Sequence, residues 1–441
     1  MPGEPLGHNV RLLLRQKRPC HSRDSTTSMK PGTPSRSPLS IGYFSPGWPV
    51  DAIPNGVVSY VADMACQLRT LGHQVTIVAA AVTGAEPEAS IYDMQHTRSS
   101  RNLTQRVMIK LAYRIAPHWT TAREIRASLL TAVRRAIRER TIQLFEMEES
   151  FGLASWLRQG TSIPVCVRLH GPWFLNGPAL GALDDRAFRR RVYDEGRSIA
   201  DADAVTSSSQ DTLDRTRAFY GLALKEAQVI YPPTRPIAPA ERWQLEDCNP
   251  KEVLFVGRFD RHKGGDLIVE AFRTVLREVP QAKLRFVGPD IGYTDAQNRR
   301  WSLRDFLHDR LPGALDSGHV VLLGHQPLSA LASWRRKALV TTICSRYENA
   351  PRSLIEAMSL GCPIVAARVG GIPEIMQDQV DGLLHRPEDP DDLAAKIVAL
   401  MNDPARAAQL GGHAAVTCEK RFYPEFIATQ MVDFYRCTFA L

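Results

Sequence analysis

Two glutamates eight positions apart, Glu348 and Glu356, are acids whose spacing could place two carboxylates around one bound group. The β-branched run Leu339-Val-Thr-Thr-Ile343 predicts a strand. Pro351, with its fixed φ, suits the first turn of a helix. Leu354, Ile355, Met358 and Leu360 supply that helix with an apolar face, and Gly361 closes it. Glu348 therefore falls on a strand-to-helix loop and Glu356 inside the helix. The N-terminus between them presents free N–H groups and the positive end of a dipole, a natural seat for phosphate. A carboxylate on either side of a diphosphate can accept hydrogen bonds from sugar hydroxyls. Taken alone, the same two acids would read as solvated charges on a structural helix.

A second group of charges follows a second strand. Glu252-Val-Leu-Phe-Val-Gly257 is a short apolar run of the kind that forms a buried parallel strand. Arg258-Phe-Asp-Arg-His-Lys-Gly-Gly265 comes next, then an amphipathic helix through Leu267, Ile268, Ala271, Phe272 and Leu276. A nucleoside diphosphate gains negative charge as the bond to its sugar breaks, and cations preorganised at that point stabilise it. Without that context the segment reads as a solvated basic loop.

In this order the segments resemble the signature of retaining family-4 glycosyltransferases of the GT-B fold. The elements that carry the likeness are Glu348-x7-Glu356-Ala-Met358, Gly361-Cys-Pro363, Gly370-Gly-Ile-Pro-Glu374 and the Gly257-Arg258…Lys263-Gly264 element. The likeness is strong across residues 250–385 and weaker across 39–232. It implies an α/β chain of two Rossmann-like doubly wound domains facing across a cleft. It also implies transfer of a hexose-like unit, with retention, from a nucleoside diphosphate sugar to a hydroxyl acceptor in glycan or glycolipid synthesis. Its implied site residues are Arg258 and Lys263 on the donor diphosphate, Glu348 on the donor sugar and Glu356 on the ribose. The N–H groups from Ala350 through Ser353 to Leu354 would meet the phosphate. No cofactor or metal is expected, and the partners are the donor and a sugar, lipid-linked or small-molecule acceptor. Two rival readings are a sugar-nucleotide epimerase on the same fold and a non-catalytic nucleotide-sugar-binding homologue.

Other residues are chemical candidates by position. His170 follows the predicted strand Val165–Leu169, and strand C-terminal ends face the crevice in such sheets. The family often has a His here, which gives His170 a cleft role against donor sugar or leaving phosphate; otherwise it is a packed surface residue. Glu146 and Glu148 follow the predicted strand Ile142–Phe145 and share one side by alternation. They would meet acceptor hydroxyls or form a solvated loop. Asp201-Ala-Asp203 has the Asp-x-Asp spacing of a metal pair, but it precedes the strand Ala204–Ser207 instead of following one.

The elements that must position these residues are legible from pattern. Ser40–Phe44 predicts the first strand, and a Pro/Gly loop over 46–56 leads into a helix with Val57, Val61, Met64, Ala65 and Leu68 on one face. Gln74–Val78 is the next strand, completing a doubly wound unit. Where relatives carry paired glycines in that loop this chain has Asn55-Gly56, and Gly56 still permits close approach of a phosphate. Strands are also expected at 229–231 and near Val253, Leu284, Val320, Val340, Ile364 and Leu383. Residues 1–38 read as a disordered basic tail, 39–234 as an acceptor-binding domain, 235–249 as a linker and 250–420 as the nucleotide-sugar domain. A final helix over 421–441 would cross back to the first domain.

Charge and composition narrow the function. The chain has 441 residues and a net charge of +8. Seven Lys/Arg against two acids put +5 on residues 1–38, and eleven against two put +9 on 98–140, so the rest carries −6. A basic excess confined to two segments opposes a general nucleic-acid surface. In 98–140, Val107, Met108, Leu111 and Ile115 recur at helical spacing among Arg106, Lys110 and Arg114, with Trp119 after them. That pattern suits either peripheral attachment to an anionic membrane or an ordinary helix face with solvated arginines. No run of eighteen apolar residues is present. The eight cysteines form no Cys-x-x-Cys pair, and Cys66, Cys166, Cys344 and Cys362 fall in predicted strands or helices where buried thiols are common. A reducing, cytoplasmic setting, extending to the inner membrane face, is the expectation.

Overall fold

The computed structural model describes residues 37–53, 55–84, 90–95 and 117–441. The tail 1–36 and the proposed membrane-facing residues Arg106, Lys110 and Arg114 lie outside the described residues.

The first unit is a seven-stranded sheet in the order β3-β2-β1-β4-β5-β6-β7, parallel throughout. Its strands are β1 (Ser40–Ser45), β2 (Gln74–Ala79), β3 (Ile91–Asp93), β4 (Leu144–Glu148), β5 (Val165–Leu169), β6 (Ala204–Ser207) and β7 (Ala227–Val229). The helices between them are α1 (Gly56–Thr70), α2 (Pro117–Arg140), α3 (Leu153–Gly160), α4 (Trp173–Leu180), α5 (Arg186–Asp201) and α6 (Gln210–Tyr220). Parallel strands need crossovers, and the crossover helices cover both sheet faces, so β1 and β5 are buried along their whole length. Polar caps set the helix starts. The Asn55 side chain accepts from Val57 N, Asp185 from Phe188 N and Ser209 from Thr212 N.

The second unit holds β8 (Asn249–Val256), β9 (Lys283–Val287), β12 (Val320–Gly324), β13 (Ala338–Ile343), β14 (Ile364–Ala367) and β15 (Leu383–His385) in one parallel sheet of order β12-β9-β8-β13-β14-β15. A hairpin of β10 (Tyr293–Thr294) and β11 (Arg300–Trp301) projects after β9. The helices are α7 (Gly265–Glu278), α8 (Leu303–Arg310), α9 (Leu328–Lys337), α10 (Arg352–Ser359), α11 (Ile372–Ile375), α12 (Pro390–Asn402) and α13 (Pro404–Phe422). Gly361 takes a left-handed φ of 73° just past α10, and its N–H bonds Met358 O.

The last helix, α14 (Pro424–Phe439), leaves the second unit and packs on the first. Its Ile427, Ala428, Met431 and Tyr435 share a core cluster with Ile41 of β1 and Val61, Met64 and Leu68 of α1. The chain is thus bound to its first domain at both ends of the fold.

Two expectations change. β4 runs to Glu148, so Glu146 lies within the strand and not on a loop. The Glu146 carboxylate tolerates burial because the Tyr60 hydroxyl donates to it at 2.8 Å and the Tyr435 hydroxyl at 2.6 Å. It meets no acceptor; it ties α1 and α14 to the sheet. Cys66 is exposed, whereas Cys166, Cys344 and Cys362 are buried. The helical face expected through Val107, Met108, Leu111 and Ile115 lies outside the described residues; in the described part of 98–140, Leu129, Val133 and Ala136 of α2 share a core cluster with Leu157 and Val165. Among the described residues, no helix is long and apolar enough to cross a membrane.

Candidate active site

The loop from β13 to α10 carries Glu348 into the cleft between the two sheets. Its carboxylate is nearly buried, at 8% exposure, which demands a partner. Lys263 Nζ donates to Oε1 at 2.5 Å, and Ser345 Oγ donates to the same oxygen at 2.7 Å. Burial alone would push the Glu348 carboxyl up. The Lys263 charge, then His262 and the two hydrogen bonds, outweigh burial and hold it below the ordinary carboxylate value.

Glycine explains how two loops come this close. Gly264 has a left-handed φ of 71°, and a Cβ there would stand 2.1 Å from Cys344 O. The loop after β8 therefore lies flat on the end of β13 and delivers Lys263 to Glu348. Gly371 plays the same part: its Cβ would meet Asn349 O at 2.0 Å and Ser209 Cβ at 2.5 Å. Close packing of loop on loop accounts for Gly264 and Gly371.

The loop then reaches across the cleft. Asn349 Nδ2 donates to Leu169 O at 2.8 Å, and Ser209 Oγ donates to Asn349 Oδ1 at 2.6 Å. Tyr347 Oη and Thr212 Oγ1 are 2.7 Å apart. The residue after Glu348 thus bonds the residue before His170, bringing both predicted site residues to one place.

His170 is held within the first domain. Its N–H and that of Gly171 donate to Glu149 at 3.0 and 2.8 Å, and its ring meets Tyr60 edge-on at 5.2 Å. Burial, then the Arg168 charge, lowers its pKa well below the ordinary histidine value, so the ring is neutral near pH 7. Glu148, at the end of β4, is pushed up to about 7, first by burial and then by Glu149.

The remaining predicted residues divide. At the start of α10, the N–H groups of Ala350, Arg352 and Ser353 find no acceptor among the described residues. The Leu354 N–H, by contrast, donates to Pro351 O at 3.0 Å, so it is already engaged in the first turn. Glu356 points along the other side of α10, with Arg335 Nη2 at 2.9 Å and Arg352 Nε at 3.9 Å. Arg352 also pairs with Asp63 of α1 at 2.7 Å, so α1 and α10 face each other. Gly56, at the start of α1, has open space where a Cβ would stand. Arg258 is exposed, its Nε on Asp260 at 2.6 Å. Asp201 and Asp203 are engaged structurally: Ser155 Oγ donates to the first at 2.6 Å, while Arg158 and the Val165 N–H hold the second.

Glu374 was legible only as a motif letter. Its carboxylate accepts from Gln210 N and Asp211 N, both at 2.7 Å, and so caps α6 of the other domain. Tyr347, Asn349, Arg335 and Asp63 carried no sequence signal of their own, because their partners lie more than a hundred residues away or in a different element.

The two halves of the chain match two family models, Glycosyltransferase Family 4 over residues 54–236 and Glycosyl transferases group 1 over 239–415. A D-inositol 3-phosphate glycosyltransferase from Segniliparus rotundus is 28% identical over 293 residues, which is 65% of this chain and 64% of that protein. The chain thus spans just under two thirds of that relative. Sucrose-phosphate synthase from Thermosynechococcus elongatus superposes with a TM-score of 0.67 at 22% identity, covering 91% of this chain and 99% of that one. HepE from Anabaena, in complex with UDP and glucose, superposes at 0.62 with 17% identity, covering 90% and 98%. With both halves matched and the two-sheet cleft shared, the chain belongs to the family-4 glycosyltransferases of the GT-B fold.

Proposed function

We propose that this chain is a retaining hexosyltransferase that moves a sugar from a nucleoside diphosphate sugar to a hydroxyl acceptor. The observation that carries the reading is the buried Lys263–Glu348 pair, set beside the open N-terminus of α10 and tied through Asn349 to the strand end that bears His170. The UDP and glucose in the Anabaena complex support a nucleotide-sugar donor.

In this reading Arg258, Lys263 and the N–H groups of Ala350, Arg352 and Ser353 hold the diphosphate and stabilise the charge it gains. Glu348 accepts hydrogen bonds from the donor sugar's hydroxyls, and Glu356 from the ribose once the ribose displaces part of its arginine contact. Neutral His170 hydrogen-bonds the sugar or leaving phosphate, and Gly56 gives α1 room beside the phosphate. No side chain is placed as a covalent nucleophile. The acceptor oxygen attacks on the face the phosphate leaves, the sugar–phosphate bond breaks, and the leaving phosphate takes the acceptor proton. The protein cations supply the charge stabilisation, so the reaction calls for no metal or cofactor. The basic excess of 98–140 supports attachment to an anionic membrane surface from the cytoplasmic side.

Incubation with a panel of nucleotide sugars, followed by proton NMR, tests the reading. Release of nucleotide with an anomeric product of the donor's configuration supports it. An altered sugar still on its nucleotide would indicate epimerisation, and an inverted product would refute retention.

A further inference from the structure

A cavity of about 1010 Å³ opens between the two domains beside the proposed donor site. Its volume matches clefts that take small molecules. The C-terminal end of α4 and the loop after it form one wall, and the segment after β9 with the β10–β11 hairpin forms the other. Arg258 lines it, as does Arg346, two residues before Glu348.

Most of the cavity's charges are internally satisfied. Arg258 holds Asp260, and Arg346 holds both Asp266 and Glu388. Asp295 accepts from Trp301 Nε1 at 2.8 Å and from the N–H groups of Gln297 and Arg299. Two arginines are left. Arg261 Nη1 makes only a 3.4 Å contact to Pro178 O, and Arg300 Nη2 donates to Ile291 O at 3.0 Å. Among the described residues no carboxylate pairs with either. Two guanidinium groups line one cavity, Arg261 from the loop after β8 and Arg300 from β11, and such groups suit a phosphate, whose oxygens accept paired N–H bonds.

The rest of the rim is apolar. Leu183 is 80% exposed, Ile291 52% and Leu180 38%, and all three line this cavity. A single exposed aliphatic residue is ordinary; three from two domains around one space form a surface for an apolar group. We propose that this cavity is the acceptor subsite and that it takes an amphiphilic phosphate, an acceptor whose phosphate meets Arg261 and Arg300 and whose apolar part lies against Leu180, Leu183 and Ile291. The acceptor role rests on the transfer reading above; the ligand class rests on the cavity.

Isothermal titration with octyl phosphate below its micelle concentration tests the site, with saturating nucleoside diphosphate present to occupy Arg258 and Lys263. Inorganic phosphate and octanol are the comparisons. Octyl phosphate should bind at least tenfold more tightly than either. The pair Arg261→Gln, Arg300→Gln should weaken it at least tenfold, and Leu183→Ser with Ile291→Ser should reduce it to the level of inorganic phosphate. Nucleoside diphosphate affinity should stay unchanged in both variants. Equal binding of octyl phosphate and inorganic phosphate, indifference to the arginine pair, or binding only to anionic lipid vesicles and not to the monomeric probe would overturn the proposal. If nucleoside diphosphate itself fails to bind, the transfer reading falls, and the same titration without it still decides the cavity.

Discussion

Removing Lys263 should cost more stability than neutralising Glu348, although the two form one pair. Lys263→Ala leaves a carboxylate of 8% exposure with only the Ser345 hydroxyl as a direct hydrogen-bonding side chain. Breaking a buried pair this way costs about 3–5 kcal/mol in general. The Lys263 side chain is 28% exposed, so water can enter its place and about 2–3 kcal/mol is the expectation here. Glu348→Gln keeps an acceptor for Ser345 and leaves an ammonium that water already reaches, costing about 1 kcal/mol. The double variant should match Glu348→Gln, because no buried charge is left unpaired. pH sharpens the test. Glu348 is held below its ordinary value, so its contribution is complete above the unfolded carboxylate pKa and is lost as pH falls through the lower folded value. In Lys263→Ala the lowering charge is gone and burial raises the carboxyl, so the variant loses stability as pH rises through that raised value. The gap to the parent should be widest near neutrality and should close in acid. Urea unfolding at pH 7 and pH 4.5 measures it. Equal costs for the two single variants, or a double variant no better than their sum, would show that the buried Glu348 charge does not depend on Lys263.

Three further outcomes are expected. Glu374→Gln removes the charged cap that joins the domains at α6 and should cost about 1–2 kcal/mol; calorimetry should show the two domains unfolding less cooperatively, and an unchanged single transition would contradict this. Tyr435→Phe strips one of two hydroxyl donors from buried Glu146 and should cost about 1.5–3 kcal/mol, with faster proteolysis of α14; an unshifted urea midpoint would rule it out. Glu148, raised to about 7, favours the fold below its unfolded pKa and loses that contribution as pH rises through about 7. Glu148→Gln should therefore flatten the decline in melting temperature from pH 5 to pH 8, by up to about 3 kcal/mol in stability; an unaltered pH profile would count against the assignment.

The second domain was the more legible half. Val253–Val256 of β8, Ala338–Val340 of β13 and Ile364–Ala367 of β14 are apolar runs of the kind that buried parallel strands favour. The N-terminal strands were found with shifted ends: the strand expected to stop at Phe145 continues to Glu148 because hydroxyls from α1 and α14 satisfy a carboxylate that composition alone places outside. The hairpin β10–β11 was not foreseen, since two-residue strands carry no periodicity. Of the site, Glu348, Lys263 and the open end of α10 follow from local motifs. The contacts that assemble it do not. Asn349 to Leu169, Tyr347 to Thr212 and Glu374 to α6 join positions that approach only when both sheets have formed.

In the proposed reading the cleft binds a nucleoside diphosphate through Arg258, Lys263 and the N-terminus of α10. Titration of UDP, GDP and ADP into the parent chain and into the Arg258→Ala, Lys263→Ala double variant tests it most directly. At least one nucleotide should bind the parent, and the folded double variant should lose affinity by roughly 30-fold or more, the equivalent of about 2 kcal/mol or more. Binding of none of the three to the parent, or equal binding to parent and variant, would rule out a nucleoside diphosphate held by these residues.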